Sequence, residues 1–276
     1  NLSLGPTEAV VGWSSTQGGE AGAVAFAAGT VNVYPVIKTG YWVIFDSKGG
    51  NYVAPVFAQD GQTVTLPTTA TRPGYTFDGW YQNGQPVTQV NAAANLEAHW
   101  TAAKNTKYTV IHWQENANDE NYSFKESEPK TGTTGEETKA AAKRYEGFKA
   151  QTVEQQTIAG DGSTIVNVYY KRNEYTITFY LDNPYYSCGK QEHSHSKWCK
   201  RFGCTEEEHT HSSACGYVSQ ITITAKHGAN ISDQWPTVDG SSSWRTTRNG
   251  STYQSNIDVM PVGGGSYYGP NKDSGS

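Results

Sequence analysis

The sequence predicts a mainly β (α+β) chain built from tandem small modules, and three observations carry that prediction. Only five leucines (Leu2, Leu4, Leu66, Leu96, Leu181) and one methionine, Met260, stand against 20 valines, 31 threonines, 18 tyrosines and 29 glycines. Leu and Met favour helices, whereas Val, Thr and Tyr suit a pleated, half-buried surface, which argues against a helical bundle or a helix-rich α/β enzyme. The hydrophobic fraction of 36% and the mean hydropathy of -0.66 fit several thin, solvated β domains better than one large core. The third observation is an internal repeat. Tyr41-Trp-Val-Ile-Phe45 recurs as Tyr108-Thr-Val-Ile-His112 and Tyr175-Thr-Ile-Thr-Phe179, each start 67 residues after the last, and Gly12-Trp13 and Gly79-Trp80 have the same spacing.

Each opening segment follows a similar alternating strand: Val31-Asn-Val-Tyr34, Leu96-Glu-Ala-His-Trp100 and Val166-Asn-Val-Tyr-Tyr170. Alternation of apolar and polar residues reads as strands with one buried face. The register divides the chain into residues 1–40, the second half of a module; 41–107 and 108–174, two whole modules; and 175–276, a fourth. Connections as short as Lys38-Thr-Gly40 and Ala102 to Lys107 predict a semi-rigid string. The fourth module is overlong because residues 183–217, of different composition, are inserted between the strands Tyr175–Leu181 and Val218–Lys226. One helix is expected. Thr134-Gly-Glu-Glu137 has capping-box spacing, good helix formers run from Glu136 to Arg144, and Gly147 can end the helix.

The second module reads Tyr41-Trp-Val-Ile-Phe-Asp-Ser-Lys-Gly-Gly50, Thr63-Val-Thr-Leu-Pro67, Arg72-Pro-Gly-Tyr-Thr-Phe-Asp-Gly-Trp-Tyr81 and Leu96-Glu-Ala-His-Trp100. It resembles the internalin B-type, or Listeria–Bacteroides, repeat, and residues 1–40 look like the end of another copy. The third module, with its strand at Tyr108, its Gly147-Phe148 turn and its closing Val166-Asn-Val-Tyr-Tyr-Lys-Arg172, looks like a relative of the mucin-binding-protein repeat. The resemblances imply small β-grasp-like modules, a secreted adhesin-type protein of the Gram-positive cell surface, and no catalytic residues. They also imply host glycan, mucin or another surface protein as partner. The cluster Tyr75, Phe77, Trp80 and Tyr81 reads as module core, with a sugar-stacking platform as the alternative.

All four cysteines and four of the seven histidines lie in the insertion. Cys188-Gly-Lys-Gln-Glu-His193-Ser-His195-Ser-Lys-Trp-Cys199 and Cys204-Thr-Glu-Glu-Glu-His209-Thr-His211-Ser-Ser-Ala-Cys215 share one spacing, Cys-x4-His-x-His-x3-Cys. Zinc takes four tetrahedral nitrogen and sulfur ligands, and each copy offers two thiolates and two imidazoles. In an extended segment the two histidines of His-x-His project to one face. The pattern predicts two structural Zn2+ ions held by Cys188, His193, His195, Cys199, Cys204, His209, His211 and Cys215, one ion per copy or with ligands exchanged between copies. Disulfides suit an oxidising compartment but leave the paired histidines unexplained, and four ligands per ion leave no open position for a zinc hydrolase. Few apolar residues are present, so the metal would order this segment in place of a core. His99, His112 and His227 read as ordinary sheet residues.

The net charge of -5 with scattered Lys and Arg gives no nucleic-acid footprint, and no apolar run is long enough to span a membrane. The sequence contains no nucleophile elbow, His-Glu-x-x-His or phosphate-binding loop. The expectation is a non-enzymatic, monomeric segment of a longer chain, a stalk or scaffold of a surface adhesin. The alternative is a glycan-binding module that uses the zinc flap or an aromatic face.

Overall fold

The computed structural model describes residues 2–24, 29, 31–188, 193–194, 208–212 and 215–270. Its named elements are all strands, and no α-helix occurs among these residues. Two compact units divide the chain: Asn1–Val110 with Glu128–Lys139 and Gln155–Val166, and Ile111–Ser127 with Ala140–Glu154 and Asn167–Ser276.

The first unit contains β1 (Glu8–Ser14), β2 (Tyr34–Asp46), β3 (Val56–Gln59), β4 (Val64–Thr65), β5 (Tyr75–Gln82), β6 (Gln85–Val87), β7 (Gln89–Val90) and β8 (Ala94–Ala102). The sheet order is β1-β2-β8-β5-β6, with β3 also on β2 and β4–β7 as a separate ribbon. Strand β2 serves two repeats. Its first part pairs antiparallel with β1, and its second part pairs antiparallel with β3 and parallel with β8. The β1–β2 register shifts between Val10 and Gly12, and the β5–β8 register shifts between Phe77 and Gly79. These bulges occupy the same place in the repeat, each next to a Gly-Trp pair. Tyr41, Val43, Leu66, Trp80 and Leu96 form the core of this repeat.

The next sheet, β10-β9-β12-β11, is built from β9 (Thr106–Glu115), β10 (Tyr122–Gly132), β11 (Phe148–Ala150) and β12 (Ile165–Arg172). The last is β14-β13-β17-β15-β16, from β13 (Glu174–Tyr186), β14 (Tyr217–Lys226), β15 (Trp244–Arg245), β16 (Tyr253–Gln254) and β17 (Gly265–Gly269). The repeated plan is now visible. Each opening strand (β2, β9, β13) lies between the strand after it (β3, β10, β14) and the closing strand (β8, β12, β17). Positions 43, 110 and 177 are 0% exposed, so period-2 alternation places the same face of each opening strand inward.

His112 fills the place that Phe45 and Phe179 hold in the neighbouring repeats, and it is fully buried. Its Nδ1 lies 2.7 Å from the Tyr170 hydroxyl, which also accepts the Lys143 amide at 2.7 Å. A hydroxyl that accepts one bond and donates the other satisfies both neighbours, with Nδ1 as acceptor.

The expected helix over Glu136–Arg144 does not form, and the α component of the predicted class is absent from the described residues. Thr134 is the reason at one end. Its hydroxyl donates to Gly74 O at 2.8 Å and lies 2.6 Å from the Thr106 hydroxyl, so it does not cap a helix. The segment instead crosses as an extended strap. Thr138 N–H donates to Gln156 O at 2.8 Å, and Lys139 N–H donates to the Tyr108 hydroxyl at 3.3 Å. Thr138 and Ala140, two residues apart, are both buried, as on one face of an extended chain. Tertiary hydrogen bonds have overridden local propensity.

Successive repeats meet through close backbone contacts. In the first unit Thr134 N–H donates to Ala103 O at 3.0 Å, and a Cβ on Gly160 would stand 2.1 Å from Pro73 O, so only glycine fits. In the second unit the Arg172 guanidinium donates to Glu115 O at 2.7 Å and to His227 O at 2.9 Å. Lys226 pairs with Glu120 at 3.0 Å and with the buried Glu115 at 3.4 Å. Burial acts to lower the Lys226 ammonium, but Glu120 and Glu115 outweigh it and hold its pKa above the ordinary lysine value.

Candidate metal centre

The β13–β14 hairpin carries the insertion. Its pairing runs from Glu174↔Lys226 to Phe179↔Ile221, slips between Tyr180 and Tyr185, and continues as Tyr185↔Val218 and Tyr186↔Tyr217. Beyond the last named pair, Ser187 N–H donates to Gly216 O at 2.9 Å and Cys188 N–H donates to Cys215 O at 3.2 Å. Cys188 and Cys215 therefore face one another as the next cross-strand step of the ribbon. Gly216 has φ of 63°, and a Cβ there would stand 2.5 Å from Ser187 Oγ, which explains glycine at this turn. Ser187 Oγ in turn donates to Cys215 O at 2.9 Å, fixing the backbone that carries the thiol.

His209 completes a three-member group. Its Nε2 lies 3.6 Å from Cys188 Sγ and 3.6 Å from Cys215 Sγ, and the three ligand atoms lie within 4.8 Å of one another. One Nε2 carries either a proton or a lone pair and satisfies one hydrogen-bond partner, so two equidistant sulfurs are not explained by hydrogen bonding. A tetrahedral zinc with Zn–S of about 2.3 Å and Zn–N of about 2.0 Å has S···N edges of roughly 3.6 Å. The donor set and its spacing therefore fit a zinc ion. Cys215 is 7% exposed and Cys188 is half-buried, so the group is sheltered at the ribbon tip.

The remaining predicted ligands fall as follows. His193 pairs with His209 through the backbone, N–H to O in both directions at 2.9 and 2.8 Å. His211 stacks on Tyr186 with ring centroids 3.8 Å apart and lies outside the three-member group. His195, Cys199 and Cys204 lie outside the described residues. Among the described residues no second cluster of three or more metal-type side chains occurs. The sequence pattern named all three members of this group. It left open that Cys188, from the first motif, meets His209 and Cys215 of the second.

The other sequence candidates are structural. Trp80 is buried, donates to Pro67 O at 2.8 Å and packs edge-on against Phe45 and Phe77, which makes this cluster core. Two turn carboxylates are used locally: Asp161 accepts from Ser163 N–H at 3.0 Å, and Asp119 accepts from Asn121 N–H at 2.7 Å. His227, at the joint between the third and fourth repeats, has a buried Nδ1 without a hydrogen-bond partner. Burial, aided by the Arg172 charge, pushes its imidazole below the ordinary histidine value, with Glu146 opposing.

No curated protein matches the chain. A solved structure of Streptococcal High Identity Repeats in Tandem (SHIRT) domains 3-4 from a cell surface protein aligns at 15% identity, covering 48% of this chain and 98% of that one, with a TM-score of 0.19. Residues 41–101, which hold the opening strand, the Gly-Trp bulge and the closing strand of the second repeat, match the family model of the Listeria-Bacteroides repeat domain.

Proposed function

We propose that this chain is a non-enzymatic, extracellular stalk or scaffold region of a bacterial surface adhesin, in which the insertion of the fourth module is ordered by zinc. The modules are a partial one at residues 1–40 and further ones at 41–107, 108–174 and 175–276 of β-grasp-like plan, and the insertion spans 183–217. The supporting observation for the stalk is the repeated sheet plan with β2 shared between neighbouring repeats. A strand that closes one module and opens the next transmits position along the chain rather than shaping a cleft. The match of residues 41–101 to a repeat family points the same way.

The zinc reading takes all eight ligands, Cys188, His193, His195, Cys199, Cys204, His209, His211 and Cys215, for two structural ions. Its support is the Cys188–His209–Cys215 group. Bound zinc would tie the two ends of the insertion together where the chain has little apolar surface to bury, and structural zinc contributes about 10–16 kcal/mol in small peptides.

A second reading, glycan binding, is favoured by one surface. Trp113 and Tyr169 lie nearly parallel, 6.5 Å between centroids at 19°, beside Phe124, which is 58% exposed. With Tyr169 and Phe124 exposed and Trp113 half-buried between them, rings on one sheet face offer the form of a sugar-stacking platform. A glycan array probed with zinc-loaded and chelated protein separates the readings. The stalk reading expects no glycan to be retained in either state. Binding that survives chelation and is lost in Trp113→Ala would replace it with the aromatic-face reading, and binding lost on chelation would move the site to the flap.

A further inference from the structure

We infer that the two Cys/His motifs do not each wrap their own ion but exchange ligands, with Cys188 of the first motif and Cys215 of the second bound to the same zinc together with His209. This rests on the zinc reading above and goes beyond it by assigning which ligands share an ion.

Three observations carry the assignment. Cys188 and Cys215 are cross-strand neighbours because the β13–β14 register continues past Tyr186↔Tyr217. His209 Nε2 stands 3.6 Å from both sulfurs, the edge length of a tetrahedral zinc site. The third is a symmetry. The motifs repeat at an interval of sixteen residues, so His193 and His209 are equivalent positions. They pair antiparallel with reciprocal N–H to O bonds of 2.9 and 2.8 Å. Equivalent residues exchanging a reciprocal pair place a local two-fold axis between them. Between these described residues the first cysteine of one motif, Cys188, reaches the first histidine of the other, His209.

The consequence is that the insertion is one interlocked unit. Removing either motif destroys both ions, and the ion at Cys188 and Cys215 clamps the mouth of the ribbon where it leaves the fourth sheet. In the exchanged arrangement the sequence leaves Cys199 and Cys204 to the other ion.

The test compares two double variants of the full chain by zinc content in native mass spectrometry. Exchange predicts that Cys188→Ser with Cys215→Ser loses one ion and keeps the other, with Cys199 and Cys204 still protected from alkylation. It predicts that Cys188→Ser with Cys199→Ser strikes both sites and loses both ions. The reverse pattern overturns the exchange and leaves the zinc reading standing, whereas an unsubstituted chain without zinc overturns the zinc reading itself. Should both variants fail to fold, 113Cd-loaded unsubstituted protein decides. The β-protons of Cys188 and Cys215 coupled to one cadmium resonance is the expected result, and Cys188 coupled with Cys199 the contrary one.

Discussion

Trp13 and Trp80 hold the same place in two copies of the repeat, each directly after the glycine of a strand bulge, yet Trp13 is 47% exposed and Trp80 is 2% exposed. Trp80 is enclosed by Phe45, Phe77 and the Pro67 carbonyl, and Trp13 lies beside an open apolar hollow bounded by Gly22, Val24 and Val33. Trp80→Ala should therefore cost about 3–5 kcal/mol, as for a buried aromatic. Trp13→Ala should cost below about 1 kcal/mol, as for a surface change. Chemical denaturation of both variants followed by circular dichroism checks the contrast, and equal losses would mean that Trp13 is buried like its counterpart.

At Lys143 the strap over residues 136–147 is held by the Tyr170 hydroxyl. Tyr170→Phe leaves His112 Nδ1 and the Lys143 amide without their shared partner, at a cost of about 1–3 kcal/mol. Lys143 amide exchange should accelerate in the variant while the Val110 and Val168 amides stay protected. Tyr169→Phe, on the opposite and exposed face, serves as the comparison and should be close to neutral.

The joint between the third and fourth repeats should weaken in acid. His227 sits below the ordinary value of 6.5 in the folded chain because of burial and the nearby Arg172 charge. The unfolded imidazole takes up a proton near that value and the folded one does so only at lower pH. Unfolding therefore binds a proton, and stability present above pH 6.5 declines as pH falls toward the folded value. His227→Gln removes this titration, so below pH 6.5 its stability should vary less with pH than that of the unsubstituted chain. The two proteins differ only at this side chain, so a difference between their profiles belongs to His227. Parallel profiles would refute the assignment.

At the other joint, Gly160→Ala should lower stability, since its Cβ would collide with Pro73 O at 2.1 Å. Gly135→Ala meets no atom but holds a φ of 84°, so it tests strain without collision. Thermal melts of both variants separate close approach from backbone conformation. A Gly160→Ala chain as stable as its parent would show that the joint can open at no cost.

The repeat was legible because it writes the same alternation three times. Tyr41, Tyr108 and Tyr175 open strands whose next inward residues are Val43, Val110 and Ile177, and the one polar replacement on that face is His112 in the place of Phe45 and Phe179. The strap was not legible, because what holds it is remote. Tyr108 and Tyr170 lie about thirty residues before and after it, and their hydroxyls replace the bonds a helix would make within itself. Local capping and propensity therefore pointed to a helix that tertiary contacts exclude. At the candidate metal centre Cys188, His209 and Cys215 were legible as candidates from the motif spacing. Their pairing was not, because the β13–β14 register decides which thiols meet, and no pattern within a single motif encodes it.

The central claim is that zinc orders the insertion, and the most direct measurement is native mass spectrometry of the unsubstituted chain, purified without chelator and without a metal-binding tag. The account predicts two zinc ions per chain with all four cysteines reduced, and unfolding of the insertion alone on chelation. A chain carrying no zinc, or one whose cysteines are joined as disulfides, would contradict it.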